Sequence, residues 1–113
     1  MASNTFQNIS ASTTDGSIVA AQTNRVIRVF GVIAIAGGTA TNLTFNSKGS
    51  GSGTAISALF ALGANGGFVL PIENQWNTPW FQTNNGEGLT ATTGSGSTVG
   101  IQVIYDIWDL PGN

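Results

Sequence analysis

The chain is expected to fold as an all-β protein, a β-sandwich or jelly roll of about seven or eight antiparallel strands with an extended N-terminal arm. Two observations carry this expectation. Residues 25–36 and 99–109 are long runs rich in Val and Ile whose side chains alternate, and a period of two places alternate residues on one face of a strand. Between and around these runs, short apolar stretches recur at intervals of roughly ten residues, separated by Gly, Ser and Asn, the spacing of a sandwich rather than of crossover helices.

Taken in order, residues 1–15 are rich in Ser, Thr and Asn and lack alternation, so they read as a flexible N-terminal arm, with residues 16–113 as a single sandwich domain. In "RVIRVFGVIAIA", Val26, Phe30 and Val32 fall on one face with Arg28, while Ile27, Val29, Ile33 and Ile35 fall on the other. Paired glycines in "AGGTATN" end that strand, and "LTFNS" supplies a short one with Leu43 and Phe45 inward. "KGSGSGT" at 48–54 reads as a flexible connection. Ile56, Ala58, Phe60 and Leu62 alternate in "TAISALFAL", which Ala64-Asn65-Gly66-Gly67 closes at strand length. "FVLP", "WFQT" and "LTATT" follow as brief strands, with Asn85-Gly86 predicting a type I′ turn.

"VGIQVIYDIWD" at 99–109 is the clearest element. Val99, Ile101, Val103, Tyr105 and Ile107 share a core face, whose burial contributes on the order of 10 kcal/mol as an upper bound. Its other face is not clean, because Ile104 and Trp108 emerge there among Gly100, Gln102 and Asp106. A strand apolar on both sides needs a second cover.

Composition narrows the function. The 113 residues include no Cys and no His, so thiolate metal sites, disulfides and every catalytic constellation built on imidazole are excluded. Three cations against five carboxylates give a net charge of −2, too few to grip a nucleic-acid backbone, where affinity grows with each phosphate neutralised. "MASNTFQNIS" does not resemble a secretory signal, and the longest apolar run, 29–36, is far short of the ~20 residues that span a bilayer. The expected partners therefore include neither nucleic acid nor membrane.

Local chemistry is sparse. In "KGSGSGT" the lysine precedes the glycines, the reverse of a phosphate loop. Asp106 and Asp109 are three apart on a strand and point to opposite faces, which disfavours a paired-carboxylate hydrolase. "NNGEG" lacks the repeated aspartates of a calcium loop. No cofactor, metal or turnover is expected. "PIENQWNTPW" at 71–80 is open to two readings: Trp76 and Trp80 could stack on sugar rings, or Pro79 could aim Trp80 and Phe81 into a strand, one of them sealing the sandwich.

From Arg25 onward the chain resembles a family of small jelly-roll-like structural proteins encoded by tailed bacteriophages. The resemblance rests on "RVIRVFGVIAIAGG", "LTFNSKG", "LGANGGFVLP" and "PWFQTNNGEGLTATTGSGSTVGIQVIY", with Pro79 standing where glycine usually precedes Trp80-Phe81. It implies a virion part, made in the bacterial cytoplasm and resident on the capsid surface. Such a part would be a decoration (cement) protein, commonly a homotrimer, clamping copies of the major capsid protein. Within that expectation Arg25, Arg28, Ile104 and Trp108 are candidates for the oligomer or shell interface, the arginines pairing with carboxylates across it. The alternative is a fibre tip that binds a host-surface glycan through Trp76 and Trp80.

Overall fold

The computed structural model describes residues 3–72 and 78–109. They form ten strands: β1 (Ser3–Ile9), β2 (Gly16–Val19), β3 (Arg25–Ala36), β4 (Thr41–Lys48), β5 (Thr54–Ala55), β6 (Phe60–Leu62), β7 (Gly67–Leu70), β8 (Phe81–Gln82), β9 (Gly88–Thr93) and β10 (Val99–Asp109). All pairings are antiparallel, and no helix occurs among the described residues. One five-stranded sheet runs β1-β10-β3-β7 with β8 also on β3; the other runs β2-β9-β4-β5 with β6 also on β4. The two pack as a sandwich. The pairings are nested: β1 meets β10, β2 meets β9, β3 meets β7 and β8, and β4 meets β5 and β6. The chain is thus one long hairpin, rolled so that successive pairs fall in alternate sheets.

Inward-facing residues of both sheets build the core. Val29, Val99 and Val103 face Leu43, Phe45, Leu89 and Ala91, all fully buried. Phe45 stacks on Phe81 across the layers, ring centroids 4.9 Å apart, an offset arrangement that adds to the burial of both rings. Phe81, not Trp80, is therefore the aromatic that enters the core after Pro79. Buried polar groups are matched locally: Thr83 Oγ1 accepts from the Ile27 amide at 2.9 Å, and Ser47 Oγ donates to Glu87 at 2.7 Å.

Four differences from the sequence reading have identifiable causes. In β3 the register on β10 slips between Tyr105↔Val29 and Ile104↔Gly31, which makes Phe30 the bulged residue. This bulge reverses the side-chain phase. Ile27 and Val29 point inward before it, and Val32, Ala34 and Ala36 point inward after it. Ile33 and Ile35 consequently lie on the outer face, not with Ile27 and Val29, and Val32 lies inside.

The segment expected as a flexible arm is also ordered over residues 3–9, where β1 pairs with β10 from Ser3↔Tyr105 to Ile9↔Val99. Only Ile9 of its seven residues is buried, so main-chain hydrogen bonds hold this edge strand and no alternation of side chains betrays it. Residues 10–15 then cross to the second sheet, with the Ser12 amide donating to Gly94 O at 2.8 Å. The "TAISALFAL" stretch, expected as one strand, is split into β5 and β6, because the Phe45 amide donates to Ser57 Oγ and interrupts the ladder on β4. Finally, the Asn84–Glu87 turn has positive φ only at Gly86, 75°. A type I′ turn needs it at both central residues; this pattern is that of type II.

Gly67 begins β7 opposite Ile35, and a Cβ there would lie 2.0 Å from the Ala34 carbonyl oxygen. Gly67→Ala is therefore expected to lift β7 off β3 and lower stability by about 1–3 kcal/mol. Gly38→Ala, where nothing lies within 4 Å, should leave the chemical denaturation midpoint almost unmoved.

Candidate functional site

The two outer faces of the sandwich differ. On the β2-β9-β4-β5 sheet the outward residues are polar: Thr44 opposes Thr92, Asn46 opposes Thr90, and Ser17 opposes Thr90 from the other side. Here Asp15 organises the surface. Its Oδ1 accepts from Thr90 Oγ1 at 3.0 Å and Asn46 Nδ2 at 3.2 Å, while Oδ2 accepts from the Gly53 amide at 3.0 Å. The glycine-rich 48–54 connection, expected to be flexible, is thereby tied to the sheet. Lys48 Nζ donates to Gly51 O at 2.6 Å and tightens it from within.

The outer face of the β1-β10-β3-β7 sheet is apolar on β3 and β7, while β10 and β1 add Gln102, Asn4 and Asn8, with Gln102 between Phe6 and Ile33 in register. At one end Arg28 makes a two-pronged bridge to Asp106, Nε to Oδ1 at 2.9 Å and Nη2 to Oδ2 at 2.6 Å. Its guanidinium lies 4.1 Å from the Trp108 ring centroid and 5.2 Å from that of Phe30. The hydrogen bond to Asp106 outweighs burial and holds Arg28 above its already high ordinary pKa. Both side chains are only 12% exposed. Cross-strand register, Arg28↔Asp106 and Arg25↔Asp109, accounts for both ion pairs. The expectation that Arg25 and Arg28 reach carboxylates across an interface is corrected accordingly: each has its partner within the chain.

The other end of this face is bare. Ile33, Ile35, Val69 and Phe6 are 46%, 53%, 61% and 68% exposed. Two shallow depressions flank Ile33. One, of about 230 Å³, is lined by Gly31, Val69, Ile72, Gln102 and Ile104 among others; the second, of about 260 Å³, is lined by Phe6, Asn8, Ile35, Gly100 and Gln102 among others. Ile35 stands as a ridge between Gly100 on β10 and Gly67 on β7, two neighbours with no side chain.

Of the sequence candidates, Ile104 borders this bare area, half-buried, and Trp108 lies at its covered end with Arg28. Phe6, Ile33, Ile35 and Val69 were not among the candidates. A single glycine inside the β3 pattern, Gly31, was the signal that a bulge could move Ile33 and Ile35 outward. Trp80 is 44% exposed, with its Nε1 donating to Pro71 O at 3.0 Å. It borders a cleft lined otherwise by Ala55, Ile56, Ser57, Ala58, Phe60, Leu70 and Phe81. Trp76 lies outside the described residues. Among the described residues no group of three or more acidic side chains is placed to hold a metal. No protein-family model, curated protein or solved structure matches the chain.

The two ion pairs should separate in a stability series. Asp106→Ala strands a largely buried guanidinium and is expected to cost about 3 kcal/mol, read as a lower urea midpoint. Asp109→Ala removes a pair whose side chains are 45% and 79% exposed and should cost under about 1 kcal/mol. Asp15→Ala is expected to cost about 1–3 kcal/mol through the polar groups it leaves unpartnered, and to speed hydrogen exchange at the Gly53 amide.

Proposed function

We propose that this chain is a structural virion protein of a tailed bacteriophage, a capsid decoration (cement) protein that oligomerises on the head shell and stabilises it. The observation that carries the reading is the unequal dressing of the sandwich. One outer face is built of threonine, asparagine and serine side chains, several of them bonded to one another and to Asp15, and the other exposes isoleucine, valine and phenylalanine beside a few amides. Exposed apolar patches of this extent mark surfaces that other proteins cover. A slab with one wet and one greasy side acts by lying against protein, and needs no reacting group to do so.

Two further features support it. The nested order β1-β10-β3-β7 over β2-β9-β4-β5 is that of a jelly roll, an architecture that viral shells use repeatedly. Fold alone does not give function, and the likeness of the Arg25 to Tyr105 segments to phage virion proteins supplies the rest. In this reading the partners are further copies of the chain, as a homotrimer, and the major capsid protein. Neither nucleic acid nor a cofactor takes part.

The second reading, a glycan-binding tip, draws on the exposed ring of Trp80. It is the weaker of the two, because that indole N–H is already bonded to Pro71, and Ser57 is the one small polar side chain in the adjoining cleft. Sugar sites need several polar groups aimed at hydroxyls.

Purified protein added to undecorated shells is expected to cosediment with them and raise their calorimetric melting temperature. Shells that neither bind it nor melt later would reject the decoration reading. Glycan-dependent quenching of tryptophan fluorescence that disappears in Trp80→Ala would favour the tip instead.

A further inference from the structure

We propose that the outer face of the β1-β10-β3-β7 sheet is where a second copy of this chain docks, with Ile33, Ile35, Val69 and Phe6 as the apolar centre around Gln102 and the Arg28–Trp108 end as the rim. The inference rests on the reading that the protein works by assembly, though not on which shell it decorates.

Area is the first argument. The four strands contain 7, 11, 12 and 4 residues, which at ~3.3 Å per residue and ~4.8 Å between strands make a face of roughly 540 Å². One such face laid on another buries roughly 1,100 Å² in total, just above the ~1,000 Å² that a specific interface takes. Of the large apolar side chains exposed among the described residues, Phe6, Ile33, Ile35, Val69, Ile72 and Trp108 are on this face, while Leu59 and Trp80 are elsewhere.

Charge is the second. Among the described residues, the ionised groups at this face and its end are Arg28 with Asp106 and Arg25 with Asp109, each pair closed within the chain. These groups sum to no net charge. An acidic or basic partner finds nothing to pair with, whereas an identical copy meets no repulsion. The composition matches a protein interface, in which aromatic residues and arginine are enriched and charged residues are depleted at the apolar core.

Shape is the third. The Ile35 ridge is bordered on both sides by glycine gullies at Gly67 and Gly100. A surface with matched ridge and gully can receive its own copy, the condition for contact between identical subunits. Sheets packed in this way lie about 10 Å apart and interdigitate.

The test is the mass of the intact chain in solution by sedimentation equilibrium over a wide concentration range. The wild type is expected at two or more times 11.5 kDa. Ile35→Lys with Val69→Lys should reduce it to one chain, with the β-type circular dichroism unchanged. Thr44→Lys with Thr92→Lys, on the opposite face, should leave the oligomer intact. A wild type of one chain at every concentration, or an oligomer indifferent to the Ile35 and Val69 lysines, overturns the proposal.

Because the chain has no cysteine, single thiols give a readout with little disturbance of the fold. Ile35→Cys should react with a maleimide at least tenfold more slowly in the concentrated protein than on dilution, and Thr92→Cys equally fast in both. Equal rates for Ile35→Cys would count against docking. A monomer that loses shell binding on Ile35→Lys with Val69→Lys would assign the face to the shell and overturn the inference. An oligomer that ignores shells would sink the decoration reading alone.

Discussion

Side chains on a strand point alternately to its two sides, so one additional residue reverses the destination of everything beyond it. β3 contains such a residue at Phe30, and the consequences run through the molecule. Upstream, Ile27 and Val29 fill the core opposite Ile107 and Tyr105. Downstream, the inward positions fall to Val32, Ala34 and Ala36, and the larger Ile33 and Ile35 are turned out. Small residues inside and large ones outside invert the usual economy of a sandwich strand. The inversion makes sense when the outer face has something to bind.

The opposite sheet is organised by hydrogen bonds rather than by grease. With so few ionisable groups, order at the surface comes from short polar side chains, and Asp15 joins three elements of the chain at once: β9 through Thr90, β4 through Asn46, and the glycine-rich connection through Gly53. A carboxylate saturated in this way is a structural brace and leaves little capacity for a ligand. Glu87 also serves structure, its Oε1 accepting from Ser47 and Asn84. Asp15 and Glu87 thus both hold loops to strands.

The architecture was largely legible. The bounds of β3 and β10 follow from their Val and Ile alternation, and the all-β sandwich follows from the spacing of shorter runs. What escaped was set by partners distant in sequence. β1 and β2 contain too few buried side chains to show a period, since backbone bonding to β10 and β9 fixes them. β5 and β8 are two residues long and exist only against β4 and β3. Among the interface candidates, Ile104 and Trp108 were legible as apolar residues on a strand's second face, whereas Ile33 and Ile35 were hidden by the assumption of unbroken alternation. The in-chain partners of both arginines are not legible in the sequence, because the register joining residues 25 and 28 to residues 109 and 106 exists only in the fold.

The pairing of β1 with β10 has a mechanical consequence. Ser3 lies opposite Tyr105, near where β10 ends at Asp109, so the start of β1 and the end of β10 lie side by side at the same end of the sheet. Hydrogen bonds between such strands run perpendicular to them. Tension applied through the two ends would therefore load those bonds singly, in sequence, like a peeled zip. The fold resists heat and solvent with its whole interior, yet against a pull on its ends it presents one bond at a time.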